Sequence, residues 1–328
     1  MKKLLIAAML GACVSMASAP ALAADKLEEI TYLLPAPKNL PAFAPWILAQ
    51  HQGYFKDEGL SVNFISGKGG VDVAKQVGAG NAPIGGAMGD TSIIVRANGV
   101  PVKSVAVLGA GGLVLIASHE DAPVDEPEQL KGKTITVISY ADTAYFSLLG
   151  TMQKADLTRN DADIQAAGPA GVWQLFASKK ADVMAGVPDW VASVRHNGGK
   201  VHLMDPAKGF NSMAQAMIAS DETIKNNPEL IQRIVRATLK GMEFIMKDPE
   251  GALAAYIEAV PAHKGREDEM REVFSMYNKY VYADQKVPGH IDAERLAAVQ
   301  DFYVSQGIVG KAAPLEDLYT NQFIEGLQ

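Results

Sequence analysis

Four turns carry the residue types that could hold a small ligand. They are Ser66-Gly67-Lys68-Gly69-Gly70, Gly85-Gly86-Ala87-Met88-Gly89-Asp90-Thr91-Ser92, Ser139-Tyr140-Ala141-Asp142-Thr143 and Gly168-Pro169-Ala170-Gly171. Each precedes a stretch of helical periodicity. Small residues at a helix start leave backbone N–H groups uncovered, and with the helix dipole these favour a carboxylate, sulfonate or similar acidic head. Aromatic and polar side chains stand close in sequence: Asn39, Phe43 and Trp46 after the first apolar run, Tyr140 and Tyr145 near the third turn, and Asp189-Trp190 directly after Val187-Pro188. Rings cover a planar ligand body, while Asp or Asn orients it through hydrogen bonds. Core packing is the competing role for Trp46 and Trp173, and helix N-capping for Asp90 and Asp142.

Motifs for covalent, phosphate or metal chemistry are missing from the sequence. Gly67 and Gly69 begin a dinucleotide fingerprint that Asp72 interrupts, and neither a Walker phosphate loop nor a G-x-S-x-G elbow occurs. The six histidines are scattered without H-E-x-x-H or other ligand spacing. No cofactor, metal or catalytic residue is therefore expected, and binding without chemistry is the first reading.

The elements that must position these turns read as an α/β pattern with parallel strands. Strands are predicted at 30–34, 61–65, 83–87, 102–108 and 113–117, with helices at 43–52, 70–77 and 91–97. The rhythm restarts with strands at 134–138, 163–167 and 183–186 and helices at 144–154 and 171–178; a strand at 214–219 closes the series. Ile116-Ala117-Ser118-His119-Glu120 is echoed by Ile218-Ala219-Ser220-Asp221-Glu222, as two strands bracketing an inserted block would be. Beyond Ser220 only helices are predicted. The first has Leu230, Ile231, Ile234, Val235, Leu239, Met242, Phe244 and Ile245 on its apolar side.

The chain has 328 residues, 48% of them hydrophobic, which suits two globular domains better than one core. Its net charge of −7 argues against nucleic acid or an anionic membrane surface as the main partner. Met1-Lys2-Lys3, the apolar run Leu4 to Met16 and the Ala21-Leu22-Ala23 site read as a signal peptide over residues 1–23. Cys13, the one cysteine, sits in an approximate lipobox, Leu10-Gly11-Ala12-Cys13, so a lipid anchor is the minor alternative. An exported, acidic, two-domain protein is expected in the periplasm.

The stretch Gly53-Tyr54-Phe55-Lys56-Asp57-Glu58-Gly59-Leu60-Ser61-Val62 resembles the signature of nitrate/sulfonate/taurine-type periplasmic solute-binding proteins of ABC importers. That group is similar to the thiamine-pyrimidine binding and synthase proteins. Gly80 to Gly85, Leu130-Lys131-Gly132-Lys133, Lys180-Ala181-Asp182-Val183 and Asn227-Pro228-Glu229-Leu230 follow in the same order. The resemblance implies a type II periplasmic-binding fold, two Rossmann-like lobes joined by two crossover strands that close like a hinge. Lobe one would hold residues 24–115 and 220–328, and lobe two 116–219. Its ligand loops fall on Asn39, Phe43, Gly69, Gly70, Gly89, Asp90, Thr91, Tyr140, Thr143, Tyr145, Gly171, Asp189 and Trp190. It also implies a membrane permease and its ATPase as partners of a monomeric protein. Two departures matter: Lys68 is the only base in the cleft loops, and the cysteine-rich stretch of the pyrimidine synthases is absent. A neutral or aromatic heterocycle thus competes with a sulfonate or other organic acid as cargo, and an enzyme on the same fold is the more distant alternative.

Overall fold

The computed structural model describes residues 26–325; the signal peptide expected over 1–23 and the lipid-anchor alternative at Cys13 lie outside them. The first run of elements is β1 (Glu28–Leu34), α1 (Ala44–His51), α2 (Tyr54–Asp57), β2 (Leu60–Ser66), α3 (Gly70–Gly78), β3 (Ile84–Met88), α4 (Thr91–Arg96) and β4 (Val102–Val107). A second run has β5 (Leu115–His119), β6 (Thr134–Val137), α5 (Thr143–Gln153), β7 (Asp163–Ala166), α6 (Gly168–Ala177), β8 (Val183–Gly186), α7 (Pro188–His196) and β9 (Val201–Leu203). Then come β10 (Gln215–Ser220), α8 (Asp221–Asn226), α9 (Pro228–Lys247), α10 (Pro249–Ala259), α11 (Glu267–Tyr277) and α12 (Ala293–Ser305).

The strands form two five-stranded sheets, ordered β2-β1-β3-β10-β4 and β7-β6-β8-β5-β9. Both have the same plan. β1 is parallel to β2 and β3, and β6 is parallel to β7 and β8. The all-parallel expectation fails at the fourth position of each sheet, where β10 and β5 run antiparallel to both neighbours. The reason is topological. These two strands do not arrive by a helical crossover from their own sheet, which would return them parallel; they arrive from the opposite lobe and enter at its near end. The Ala-Ser repeat marks this equivalence, because Ile116-Ala117-Ser118 lies in β5 and Ile218-Ala219-Ser220 in β10.

Helices cover both sheets. α9 buries Leu230, Ile231, Ile234, Val235, Leu239, Met242 and Ile245 in the larger core, beside Trp46 and Tyr32, whose ring centroids stand 6.0 Å apart. The signature around Glu58 is a docking device for this helix. Gly53 and Gly59 take left-handed φ of 79° and 74° at either end of α2, and Phe55 packs on Phe64. The nearly buried Glu58 carboxylate accepts from Arg236 Nη1 at 2.7 Å and lies 3.7 Å from Lys240 Nζ, while its carbonyl accepts from Arg233 Nη1. Removing one partner of such a shielded, charge-assisted set costs roughly 1–3 kcal/mol. Glu58→Ala should lower the unfolding free energy by about that amount in urea titrations while leaving solute affinity unchanged.

Candidate functional site

The turns at the carboxyl ends of the parallel strands face each other across the two lobes, the usual ligand position in open α/β sheets. Two direct contacts join them: Thr143 Oγ1 lies 2.6 Å from Met88 Sδ, and the Ala42 amide donates to Asp189 Oδ2 at 3.2 Å.

Asp189 occupies the first turn of α7, behind Pro188. Its carboxylate reaches across to the turn before α1, where Gln215 Nε2 donates to the carbonyl of the same residue, Ala42, at 2.8 Å. Asp189 Oδ1 and Gln215 Oε1 are buried without a hydrogen-bond partner, as is the Tyr277 hydroxyl beside Asp189. Burial lifts the Asp189 carboxyl to about 6, opposed by the Tyr277 hydroxyl and the Ala42 amide and aided by the Glu269 charge. Tyr256 and Tyr282 complete its surroundings, and its charge pushes both phenols up, secondary to their own burial.

Asp90 closes the other side. Its side chain does not cap α4; Oδ2 accepts from the Tyr303 hydroxyl of α12 at 2.6 Å, and Oδ1 is buried and unpaired. Burial raises this carboxyl to about 6 against the Tyr303 bond, with smaller effects from Asp142, which raises it, and Arg295, which lowers it. Asp142 is itself lifted by burial and is a true cap, accepting from the Ala144 amide at 2.8 Å.

The remaining candidates are dispersed around this junction. Gly69 begins α3 at φ 98° with open space beside it, whereas Gly70 presses on Ala87 and Thr91. Gly89 is enclosed by Met213 and Val107, and Thr91 turns back to accept from the Met88 amide. Tyr140 is 47% exposed, edge-on to Tyr145 at 5.4 Å, and its hydroxyl donates to the Ile164 carbonyl; Tyr145 itself is core. Gly171 lies in the first turn of α6, and half-buried Trp190 packs against Gly186. Phe43 is in the larger core beside Trp46. Asn39 lines a hollow of about 300 Å³ on the helical flank, with Ile47, His51 and Pro261, and its carbonyl accepts from Tyr256 and His263.

The helix starts offer fewer free amides than their sequences suggest. Asp142 takes one at α5, Asp72 turns back onto the Lys68 amide before α3, and proline fills the first turn of α6 and α7. Gln215, Tyr277 and Tyr303 were not visible as site residues. Gln215 had a signal, since it is the one strong hydrogen-bonding side chain within the apolar run Met213 to Ala219; the two tyrosines had none.

Two lobes of one plan, joined by two crossings with their ligand turns opposed, define the periplasmic-binding-protein fold. The family model described as NMT1/THI5 like matches residues 40–252, and the chain belongs to that family. It is similar to the riboflavin-binding protein RibY of Chloroflexus aurantiacus, 23% identical over 314 residues, covering 92% of this chain and 87% of the relative. It is also similar to 4-amino-5-hydroxymethyl-2-methylpyrimidine phosphate synthase of Aspergillus parasiticus, 25% identical over 307 residues, 87% of this chain and 84% of the relative. The periplasmic aliphatic sulphonate binding protein SsuA from Escherichia coli has the same fold, with TM-score 0.71 and 16% identity, covering 90% and 93% of the two chains.

Asp90 and Asp189 hold their protons to higher pH folded than unfolded. The folded state therefore binds more protons between about pH 4 and 6, and stability falls as pH rises through that window. Lifting a carboxyl from its ordinary value to about 6 corresponds to roughly 2–3 kcal/mol. Asp90→Asn and Asp189→Asn, whose amide oxygens can still accept from Tyr303 and Ala42, should each raise stability at pH 7 and flatten its decline between pH 4 and 6 in denaturant titrations. An unchanged slope in both variants would contradict the assignment.

Proposed function

We propose that the protein is the solute-binding component of an ABC importer, exported to the periplasm, where it captures a small, flat organic solute bearing hydrogen-bond donors and presents it to a membrane permease. The observation that carries this reading is the pair of unpaired acceptors at Asp189 and Gln215, set on either side of Ala42 where the lobes meet. A buried acceptor without a partner costs about 1–3 kcal/mol, which a ligand N–H or O–H returns on arrival. Tyr140, 47% exposed with the Arg159 guanidinium 5.7 Å over its ring, could cover a planar body. An acidic head fits less well, because Asp90 and Asp189 supply negative charge, Lys68 is exposed, α5 is capped and α6 and α7 carry proline in their first turns. The likeness to a riboflavin-binding protein supports a heterocycle over a sulfonate.

The relatives named as synthases favour a second reading, an enzyme acting on a pyrimidine in the same cleft. Among the described residues no group of three His, Cys, Asp or Glu could hold a metal ion, so such chemistry would have to do without a resident ion held that way.

Thermal unfolding and calorimetry with riboflavin, an aminopyrimidine and ethanesulfonate discriminate these readings. A micromolar ligand at millimolar concentration stabilises by about 4 kcal/mol. Riboflavin or the aminopyrimidine should do so and be recovered unchanged, and Asp189→Ala should weaken its binding by at least about tenfold. Stabilisation by ethanesulfonate alone, or consumption of the heterocycle, would sink the proposal.

A further inference from the structure

We propose that Arg295 is the positioning residue of the hinge, a single guanidinium that pins both interlobe crossings to α12 and so sets the axis about which the lobes move. The two crossings are residues 108–114 and 204–214. Arg295, near the start of α12 and only 9% exposed, donates through Nη1 to the Ala110 carbonyl of the first and through Nε to the Asn211 carbonyl of the second, the latter at 3.3 Å. A buried cation is retained where its hydrogen bonds are met by fixed acceptors, and here those acceptors are the two hinge strands. Its Nη2 is buried without a partner, and the charges of Asp292 and Asp90 act on it.

The first crossing is already anchored. The Gly111 amide donates to the Val281 carbonyl at 2.9 Å, and a Cβ on Gly109 or Gly111 would fall 1.9 or 1.8 Å from a carbonyl oxygen of the 278–282 turn. Arg295 ties the second crossing to this fixed point. Further along α12, Phe302 packs on Phe210 of the second crossing at 4.6 Å, and Phe210 in turn covers Gly150 of α5. Tyr303 packs on Phe146 of α5 at 5.5 Å and donates to Asp90. One helix therefore touches both crossings, the second lobe, and the carboxylate behind a ligand turn. A displacement of Asp90 on ligand arrival has a physical route to the hinge through a rigid element.

The inference rests on the two lobes acting as a hinged clamp, so its test uses no ligand and stands whatever the cargo is. Spin labels are placed on cysteines introduced at exposed Lys75 on α3 and exposed Gln174 on α6, with Cys13→Ser, and interlobe distances are measured by pulsed electron resonance in the full chain. Arg295→Met should broaden the distribution and move its mean by several Å, roughly the scale of hinge motions. Arg295→Lys, which can satisfy one carbonyl but not both, should fall between. Hydrogen exchange should rise about tenfold or more in 108–114 and 204–214 with little change in 30–34. Wild-type distances in both variants, or exchange rising uniformly with a lowered Tm, overturn the proposal and leave Arg295 a packing residue. Should Arg295→Met fail to fold, Arg295→Lys decides alone: wild-type distances and exchange reject the hinge role.

Discussion

The structure depends on one constraint: the chain passes between its lobes twice, so each sheet must accept one strand that enters from the ligand side. β10 enters the first sheet with Gln215 opposite Met88, and β5 enters the second with Leu115 opposite Gly186. Both are antiparallel in otherwise parallel surroundings, and both start where the cleft is. This places the hinge beside the binding turns and not at a remote edge. It also explains how a glutamine in a strand buried along its length reaches the junction: it is the first residue of that strand, where the chain enters from the crossing.

The energetic logic of the junction is that of incomplete satisfaction. Asp189 has one oxygen bonded across the lobes and one left without a partner; Gln215 repeats the pattern with its amide; Asp90 does so with Tyr303. Buried acceptors of this kind disfavour the closed arrangement unless something donates to them. A solute with donors on its edge would remove that penalty only when both lobes are in contact, because Asp189 belongs to one lobe and Gln215 to the other sheet. On the proposed reading, single side chains would tie binding energy to closure, without requiring a large apolar pocket.

Much of the fold was legible from period and turn chemistry. The strands at 30–34, 61–65 and 183–186 and the long amphipathic helix were found because their apolar faces have nowhere to go but a core. The antiparallel fourth strands were not, since strand direction is set by where the chain comes from, and residues 188–203 were left unassigned although they form α7 and β9. Within the site, Asp189 was visible as a carboxylate directly following a buried strand. Arg295 was invisible: its partners Ala110 and Asn211 lie 185 and 84 residues away, both contacts are to backbone, and nothing in the side chains of those partners encodes the meeting.

The same distinction bears on ligand charge. Turn sequences rich in glycine suggested open helix starts and hence an anion, because local sequence records which amides could be free. Whether they are free is a tertiary fact: Asp142 folds back on its own helix, Asp72 turns onto the loop before it, and proline removes donors at two further starts. Oxygens of Asp90, Asp189 and Gln215 are left without partners at the junction, together with two donors, the Tyr277 hydroxyl and Arg295 Nη2. The buried Arg295 guanidinium gives two of its donors to carbonyls of the crossings and leaves Nη2 without a partner. In the proposed site the unpaired carboxylate and amide oxygens would favour a ligand that donates.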